Sequence, residues 1–422
     1  MTARNWRDLI VITLAGLAVR LFFAPAPGHV LDLDVFAHWA TAAADNPWNR
    51  VYEATDANYP PAAVYFFEFT GRIYRALGHL DGNSEVLRVL NKLPAILFDC
   101  IGAVIAYLMA RRFAPHRSAL IGAAFIALNP ALIYDSAYWG QNDSIAAVSA
   151  LATLYCVQRQ WRIAAWIVLA FAVLNKPPVI VLAPLFVLEA VVVRDAIERA
   201  VRVRGMALGL LGALVFTYAI SLPLYTQVSP IDVFSRLLSW YQVGSSLYPY
   251  NSANGFNIYA FSSEFFKSDN AIFLFLPLKY WADLFFIGIA AYIYRRYALR
   301  PDERGLVEAS FLLMLGFFLI LTEMHERYLI YALVIVPVLA AIERGYLISA
   351  AILTLTEWLN LEYSLAYMWL GSAKPPGINV NMYSPVLARL CASANLGVFA
   401  AAITRGRWSS VSPESEISPL AP

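Results

Sequence analysis

The chain has 422 residues, 60% of them hydrophobic and only 14% charged, with a formal net charge of +2 at pH 7 and a mean hydropathy of +0.59. A water-soluble globular chain carries roughly 25% charged residues, so an ordinary soluble fold is excluded, and so near-neutral a balance gives no sign of a nucleic-acid partner. Cys100, Cys156 and Cys391 all lie inside apolar runs, which argues against both a disulfide framework and a metal knuckle.

Taken in chain order, the apolar runs define the class. A bilayer-spanning helix needs about 20 mostly apolar residues, and such runs recur from Leu9 to Thr404. The expected fold is all-α: a polytopic bundle with spans near 9–24, 86–110, 118–135, 143–158, 161–175, 178–193, 205–223, 271–294, 305–321, 328–343, 345–366 and 381–403. No small-residue cleavage site follows the first run, so it reads as a retained span and not a removed signal. Short cytoplasmic loops are enriched in Lys and Arg. Basic clusters fall at Arg4/Arg7, Arg111/Arg112/Arg117, Arg159/Arg162, Arg194 to Arg204, Arg295 to Arg304, Arg344 and Arg405/Arg407. Placing them all inside puts both termini in the cytoplasm. One apolar segment, Pro60 to Gly78, carries Glu68, Arg72, Arg75 and His79 at helical spacing. A span there would invert every later loop, so it reads as an interfacial or protein-covered helix in the first external loop, with a charged span facing the bundle as the alternative.

With that topology the polar motifs collect on the outer side. They are Asp32/Asp34 with His38-Trp39, "NYPP" (Asn58 to Pro61), "WGQND" (Trp139 to Asp143), "NKPP" (Asn175 to Pro178), the loop from Tyr225 to Asn270 with "SANGFNIY" (Ser252 to Tyr259), and "MHERY" (Met324 to Tyr328). "KLPAILFD" (Lys92 to Asp99) lies within a span, and ionisable groups there usually pair inside the protein. Lys92 and Asp99 are expected to pair with each other or with a neighbouring helix. "HER" lacks the second histidine of a zincin helix, Leu329 standing in its place.

In this order the motifs resemble the polyprenyl-phosphate-sugar-dependent glycosyltransferases of the GT-C superfamily. The likeness is to bacterial mannosyltransferase-type members and to lipid-linked-oligosaccharide glucosyltransferases. It implies one integral membrane domain over 1–408, with 25–85 a first external loop carrying the acidic motif and interfacial helix, and 224–270 a second external loop. Residues 409–422, rich in Ser, Pro and Glu, lie outside the resemblance and read as disordered. The implied activity is inverting transfer of a hexose, mannose-type by the resemblance, from a polyprenyl-phosphate donor to a hydroxyl of a glycan or glycolipid. It would take place on the extracytoplasmic face of a bacterial inner membrane, or less expectedly in an endoplasmic reticulum.

The resemblance also implies roles. Asp32 falls where relatives carry the catalytic base. Asp34 would orient the acceptor, or ligate a divalent cation if one is used; no cofactor is otherwise implied. The departing phosphate needs charge stabilisation and not a proton, which suits His325 and Arg327, with Lys176 and Arg20 as second choices that serve equally well as snorkelling anchors. Tyr59, Gln141, Asp143, Asn254, Asn257 and Glu326 are the candidate substrate contacts. Asp143 competes for that role with a helix N-cap, and Glu326 with simply holding Arg327. A secondary transporter or lipid-linked-sugar flippase is the other class with about a dozen spans. Such proteins place their ionisable groups near the midplane on broken, repeated helices, whereas here they cluster at span ends with no internal repeat.

Overall fold

In the computed structural model, which describes residues 2–82, 84–225, 229–244, 247–262, 265–370 and 379–405, the predicted spans fall on a helix or on two short ones in series, except that the one expected at 271–294 begins only at Leu278, because Ile272–Phe273 and Leu276–Pro277 pair as short antiparallel strands. The main helices are α1 (Ala3–Phe23), α2 (Val30–Asp45), α3 (Pro61–Ala76), α4 (Glu85–Ala110), α5 (His116–Ala127), α6 (Asp143–Gln158), α7 (Arg162–Val173) and α8 (Ala183–Val191). After these come α9 (Ala196–Ser221), α10 (Pro230–Gly244), α11 (Leu278–Leu299), α12 (Glu303–Ile320), α13 (Val336–Ala340), α14 (Arg344–Met368) and α15 (Pro385–Arg405). The fold is all-α and of the polytopic membrane kind. The predicted disordered tail, 409–422, lies outside the described residues.

Polar caps start several of these helices. Ser84 accepts from the Leu87 N–H at 3.2 Å, Asp195 from Glu198 at 2.7 Å and Asp302 from Gly305 at 2.6 Å, each satisfying an amide that a helix leaves open. By length and composition alone, four helical stretches among the described residues are long and apolar enough to cross a membrane: Glu85–Ala110, His116–Trp139, Ala196–Leu224 and Pro385–Arg405. The other predicted spans are shorter or carry charge. That charge is satisfied internally: Arg20 of α1, fully buried, pairs with Asp99 of α4 at 2.8 Å, and Arg296 of α11 with Glu308 of α12 at 2.6 Å.

The basic turns share one end of the bundle. Asp8 meets His116 at 3.2 Å, Arg112 meets Glu303 at 2.5 Å, Arg304 pairs with Glu343, and Glu189 is held by Arg162 at 2.7 Å and Arg202 at 2.5 Å. The helices that leave these turns deliver the polar motifs to the other end. The 16 residues of α6 separate Asp143 from the Arg159 turn by about 24 Å at 1.5 Å per residue.

Helix α3 is the segment that resisted assignment as a span. It lies against α2 and α4, burying Ala63, Phe67, Glu68 and Gly71, a packing common to the protein-covered helix and to the charged span facing the bundle. Glu68 pairs with Arg72 at 2.7 Å, and Arg75 reaches back to Asp45 of α2 at 2.6 Å. Gly71 is required here, because a Cβ would stand 1.9 Å from the Ala40 carbonyl oxygen of α2. That close crossing fixes the height of α2, and with it Asp32.

Candidate active site

Five loop-and-turn devices converge at the end opposite the basic turns. In the first, Gly28 adopts φ +59°, a conformation that costs glycine little, and His29 then caps α2, its Nδ1 accepting from the Asp32 N–H at 3.2 Å. Asp32 thus sits in the first turn of α2. In the second, Tyr134–Trp139 forms a wide π-helical turn, ended by Gly140 at φ +95°. Such turns re-aim side chains at functional sites. Here Trp139 Nε1 donates to Asp32 Oδ2 at 3.0 Å and Gln141 Nε2 to the same oxygen at 2.5 Å. His29 stacks on Trp139, with ring centroids 4.8 Å apart, and its Nδ1 lies 3.3 Å from Oδ2. All of these contacts fall on Oδ2, leaving Oδ1 to the cavity.

The third device is the proline rule. Residues before proline are driven from the helical region, and Lys176, before Pro177, is extended at φ −149°, ψ 131°. Its ammonium reaches Asp143 Oδ2 at 2.6 Å and Gln141 Oε1 at 3.3 Å. The same rule acts in "NYPP", the fourth, where Pro61 opens α3. Tyr59 donates to Gln141 Oε1 at 3.3 Å and lies under the Lys176 ammonium at 5.3 Å. The fifth device is a pair of parallel two-residue strands, β1 (Ser252–Ala253) and β2 (Met324–His325), which pins "MHERY". Arg327 follows, its Nε 3.1 Å from Asp143 Oδ2 and Nη1 2.5 Å from Glu326 Oε1.

A cavity of about 570 Å³ opens among these groups, lined by Asp32, Tyr59, Lys176, His325 and Arg327, with an apolar flank of Ile180, Val181, Phe317 and Leu321. Burial alone would raise the Asp32 carboxyl, but the neighbouring His29 ring, the Arg327 guanidinium and the Trp139 and Gln141 hydrogen bonds outweigh it and hold the pKa below the usual carboxylate value. Burial, with Arg327 and Lys176 beside it, drives His325 well below the ordinary imidazole pKa. His325 is therefore neutral at pH 7. It was expected to be one of two cations and is instead an uncharged imidazole, in contact with the Tyr248 and Tyr328 rings. Arg327, whose burial is overcome by Glu326, Asp143 and Asp32, keeps its charge.

Residues 61–221 match the family model for dolichyl-phosphate-mannose-protein mannosyltransferase, a stretch that carries "WGQND" and "NKPP". A search of curated proteins finds no match. Among solved structures, the chain is similar to the Archaeoglobus fulgidus oligosaccharyltransferase tethered with an acceptor peptide containing the NVT sequon, at 14% identity and a TM-score of 0.48, covering 96% of this chain and 55% of that one. It is also similar to the oligosaccharyltransferase AglB from Archaeoglobus fulgidus in complex with an inhibitory peptide and a dolichol-phosphate, at 13% identity and TM-score 0.49, covering 96% and 56%. The chain spans about half the length of these structures.

The predicted residues divide. Asp32, Tyr59, Lys176, His325 and Arg327 line the cavity. Gln141 and Asp143 lie just behind it, 1% and 0% exposed. Asp143 is not the helix cap; it is the first residue of α6, and it holds both cations while Tyr331 donates to its Oδ1 at 3.1 Å. Glu326 likewise secures Arg327 from outside the cavity lining.

Others lie elsewhere. Asp34, two residues from Asp32 on a helix, falls on the far face of α2 and is exposed, so the two carboxylates do not share a ligand. Among the described residues no group of three His, Cys, Asp or Glu is arranged to hold a metal ion, and no step is assigned to one. Arg20 is neither phosphate ligand nor snorkelling anchor, because Asp99 and the carbonyls of Gly16, Ala127 and Ile126 occupy its guanidinium. Lys92 caps the carbonyls of Ala24, Ala26 and Tyr138 at 2.8–3.0 Å, so it and Asp99 each pair across helices and not with each other. Asn257 caps a short helix, accepting from the Tyr259 N–H and donating to the Phe318 carbonyl. Asn254 lines a different cavity.

Sequence reasoning missed the cavity's second polar end, formed by Lys279, Asp283 and Glu323. The spacing of Lys279 and Asp283, one turn apart at the outer end of a span, was the available signal. Burial and the neighbouring Asp269 carboxylate raise Glu323.

Proposed function

We propose that the chain is a glycosyltransferase that moves a hexose, mannose-type by its family resemblance, from a polyprenyl-phosphate donor to a hydroxyl of an acceptor glycan or glycolipid. The reaction would occur at the extracytoplasmic face of a cell membrane, with inversion. One observation carries this reading: a single cavity is lined by a carboxylate, by fixed cations and by an apolar flank suited to a lipid chain.

The acceptor oxygen attacks the anomeric carbon from the Asp32 side, and Asp32 Oδ1 takes its proton as the new bond forms. The bond from anomeric carbon to phosphate oxygen breaks, and its electron pair leaves with the lipid phosphate. Lys176 and Arg327 face the charge that develops there, and His325 offers one N–H. Asp143 holds both cations in advance, so little reorganisation accompanies the step. Gln141 ties the two halves together, donating to Asp32 while accepting from Lys176 and Tyr59.

The test is a panel of radiolabelled polyprenyl-phosphate sugars offered to the purified protein with membrane-extracted acceptors. The reading expects one donor to be consumed and its sugar to appear in acceptor. Energised uptake of solute into proteoliposomes without any donor lipid would favour a transporter instead.

A further inference from the structure

On the other side of the strand that carries His325 lies a second cavity, of about 230 Å³. It opens at the same end of the bundle, between the last turns of α14, the first turn of α15 and the segment after β1. Its wall is a run of rings in contact. Phe266 stacks on Tyr367 at 5.6 Å, Tyr367 meets Tyr383 at 5.3 Å, and Tyr383 meets Tyr363 at 4.8 Å. An aromatic membrane belt points its rings outward to the headgroups, but Tyr363 is only 2% exposed and faces the hollow.

One polar group in this wall is unexplained. Asn254 lines the cavity, is 5% exposed, and its side-chain oxygen has no hydrogen-bond partner. A buried acceptor left without a donor is destabilising. Its backbone is held at φ +63°, an uncommon conformation outside glycine. Asn360 secures that backbone by donating to the Asn254 carbonyl at 2.7 Å, and a β-bridge joins Asn254 to His325. The fold thus sets the Asn254 side chain in the wall of an aromatic hollow, its Oδ1 packed in without a donor, and ties the same residue to His325 in the wall of the reaction cavity.

We propose that this hollow is a carbohydrate subsite that takes one pyranose ring of the acceptor glycan, one strand's thickness from the reaction. Ring C–H faces pack on the tyrosines, and a sugar hydroxyl pairs with the Asn254 side-chain amide. The identity of the ligand as acceptor rests on the proposed sugar transfer, but ring binding itself does not.

The test uses the full chain in nanodiscs, with methyl mannoside, methyl glucoside and a mannotriose as probes in saturation-transfer NMR. At least one probe is expected to bind wild type and Asp32→Asn alike, and to bind Tyr367→Ala and Asn254→Gly at least tenfold more weakly. Tyr367 is partly exposed and glycine accepts the Asn254 backbone, so both variants are expected to fold. With a transferable donor, the same two variants should raise KM for the mannotriose and leave donor hydrolysis by water unchanged. No binding to wild type, equal binding to the Tyr367 and Asn254 variants, or loss of binding in Asp32→Asn would overturn the subsite. Failure of sugar transfer with ring binding intact would instead remove the proposed function and leave the subsite standing.

Discussion

Asp32 is kept ionised by its surroundings and not by exposure: two donors fix Oδ2, and Oδ1 remains for chemistry. A carboxylate with a lowered pKa is charged above that pKa and neutralised as pH falls through it. The acid limb of kcat/KM is therefore expected below the ordinary carboxylate range. It is best read in Glu323→Gln, because Glu323, raised by burial and Asp269, titrates closer to neutrality. A limb centred near pH 6.5 that disappears in His325→Gln would contradict the neutral imidazole.

Arg20 supplies a second residue-scale test. Removing one member of a buried ion pair costs about 3–5 kcal/mol, whereas replacing both with apolar groups is far milder. Arg20→Met is expected to lower Tm sharply, and Arg20→Met/Asp99→Leu to recover much of it together with transfer activity. A folded double variant without transfer would restore Arg20 as a phosphate ligand. From sequence, Arg20 and Lys176 were indistinguishable, since both are cations at the end of an apolar run. What separates them is the partner across the bundle, which one chain's spacing does not reveal.

At the scale of elements, the site depends on how α2 crosses α3 and on the π-helical turn before Gly140. Gly71→Ala forces a methyl group onto the Ala40 carbonyl and must push α2 away. Transfer is expected to fall tenfold or more while the protein still inserts and elutes as a folded species. Unchanged kcat/KM would show that the crossing does not set the position of Asp32. The motifs themselves were legible: "NKPP", "NYPP" and "MHERY" each deliver a residue to the cavity because proline or a strand pairing dictates local geometry. Asp34 was misplaced because the acidic motif was taken as loop, where neighbours can converge. The His29 cap turns it into helix, and residues two apart then diverge. Asn254 and Asn257, read as substrate contacts, were claimed by the backbone of their own turn or by the second hollow.

Over the whole molecule, the arginine-rich turns and the cavity occupy opposite ends of the same helices. Composition made the class legible, and the basic clusters do gather at one end of the bundle. Individual spans were less so, because several are short, broken, or carry charges saturated across the bundle, as in Arg296–Glu308. The topology predicts that Asn270→Cys, at the cavity end, is labelled from outside intact cells by a membrane-impermeant maleimide, whereas Arg199→Cys is labelled only after permeabilisation. The reverse pattern would turn the site toward the cytoplasm.

The most direct measurement is sugar transfer from polyprenyl-phosphate donor by wild type and Asp32→Asn, reconstituted side by side at matched folded protein. Loss of a positioned base costs about 10²–10⁴-fold, so transfer is expected to fall by at least a hundredfold with donor binding retained. Asp32→Asn transferring at the wild-type rate would contradict the account.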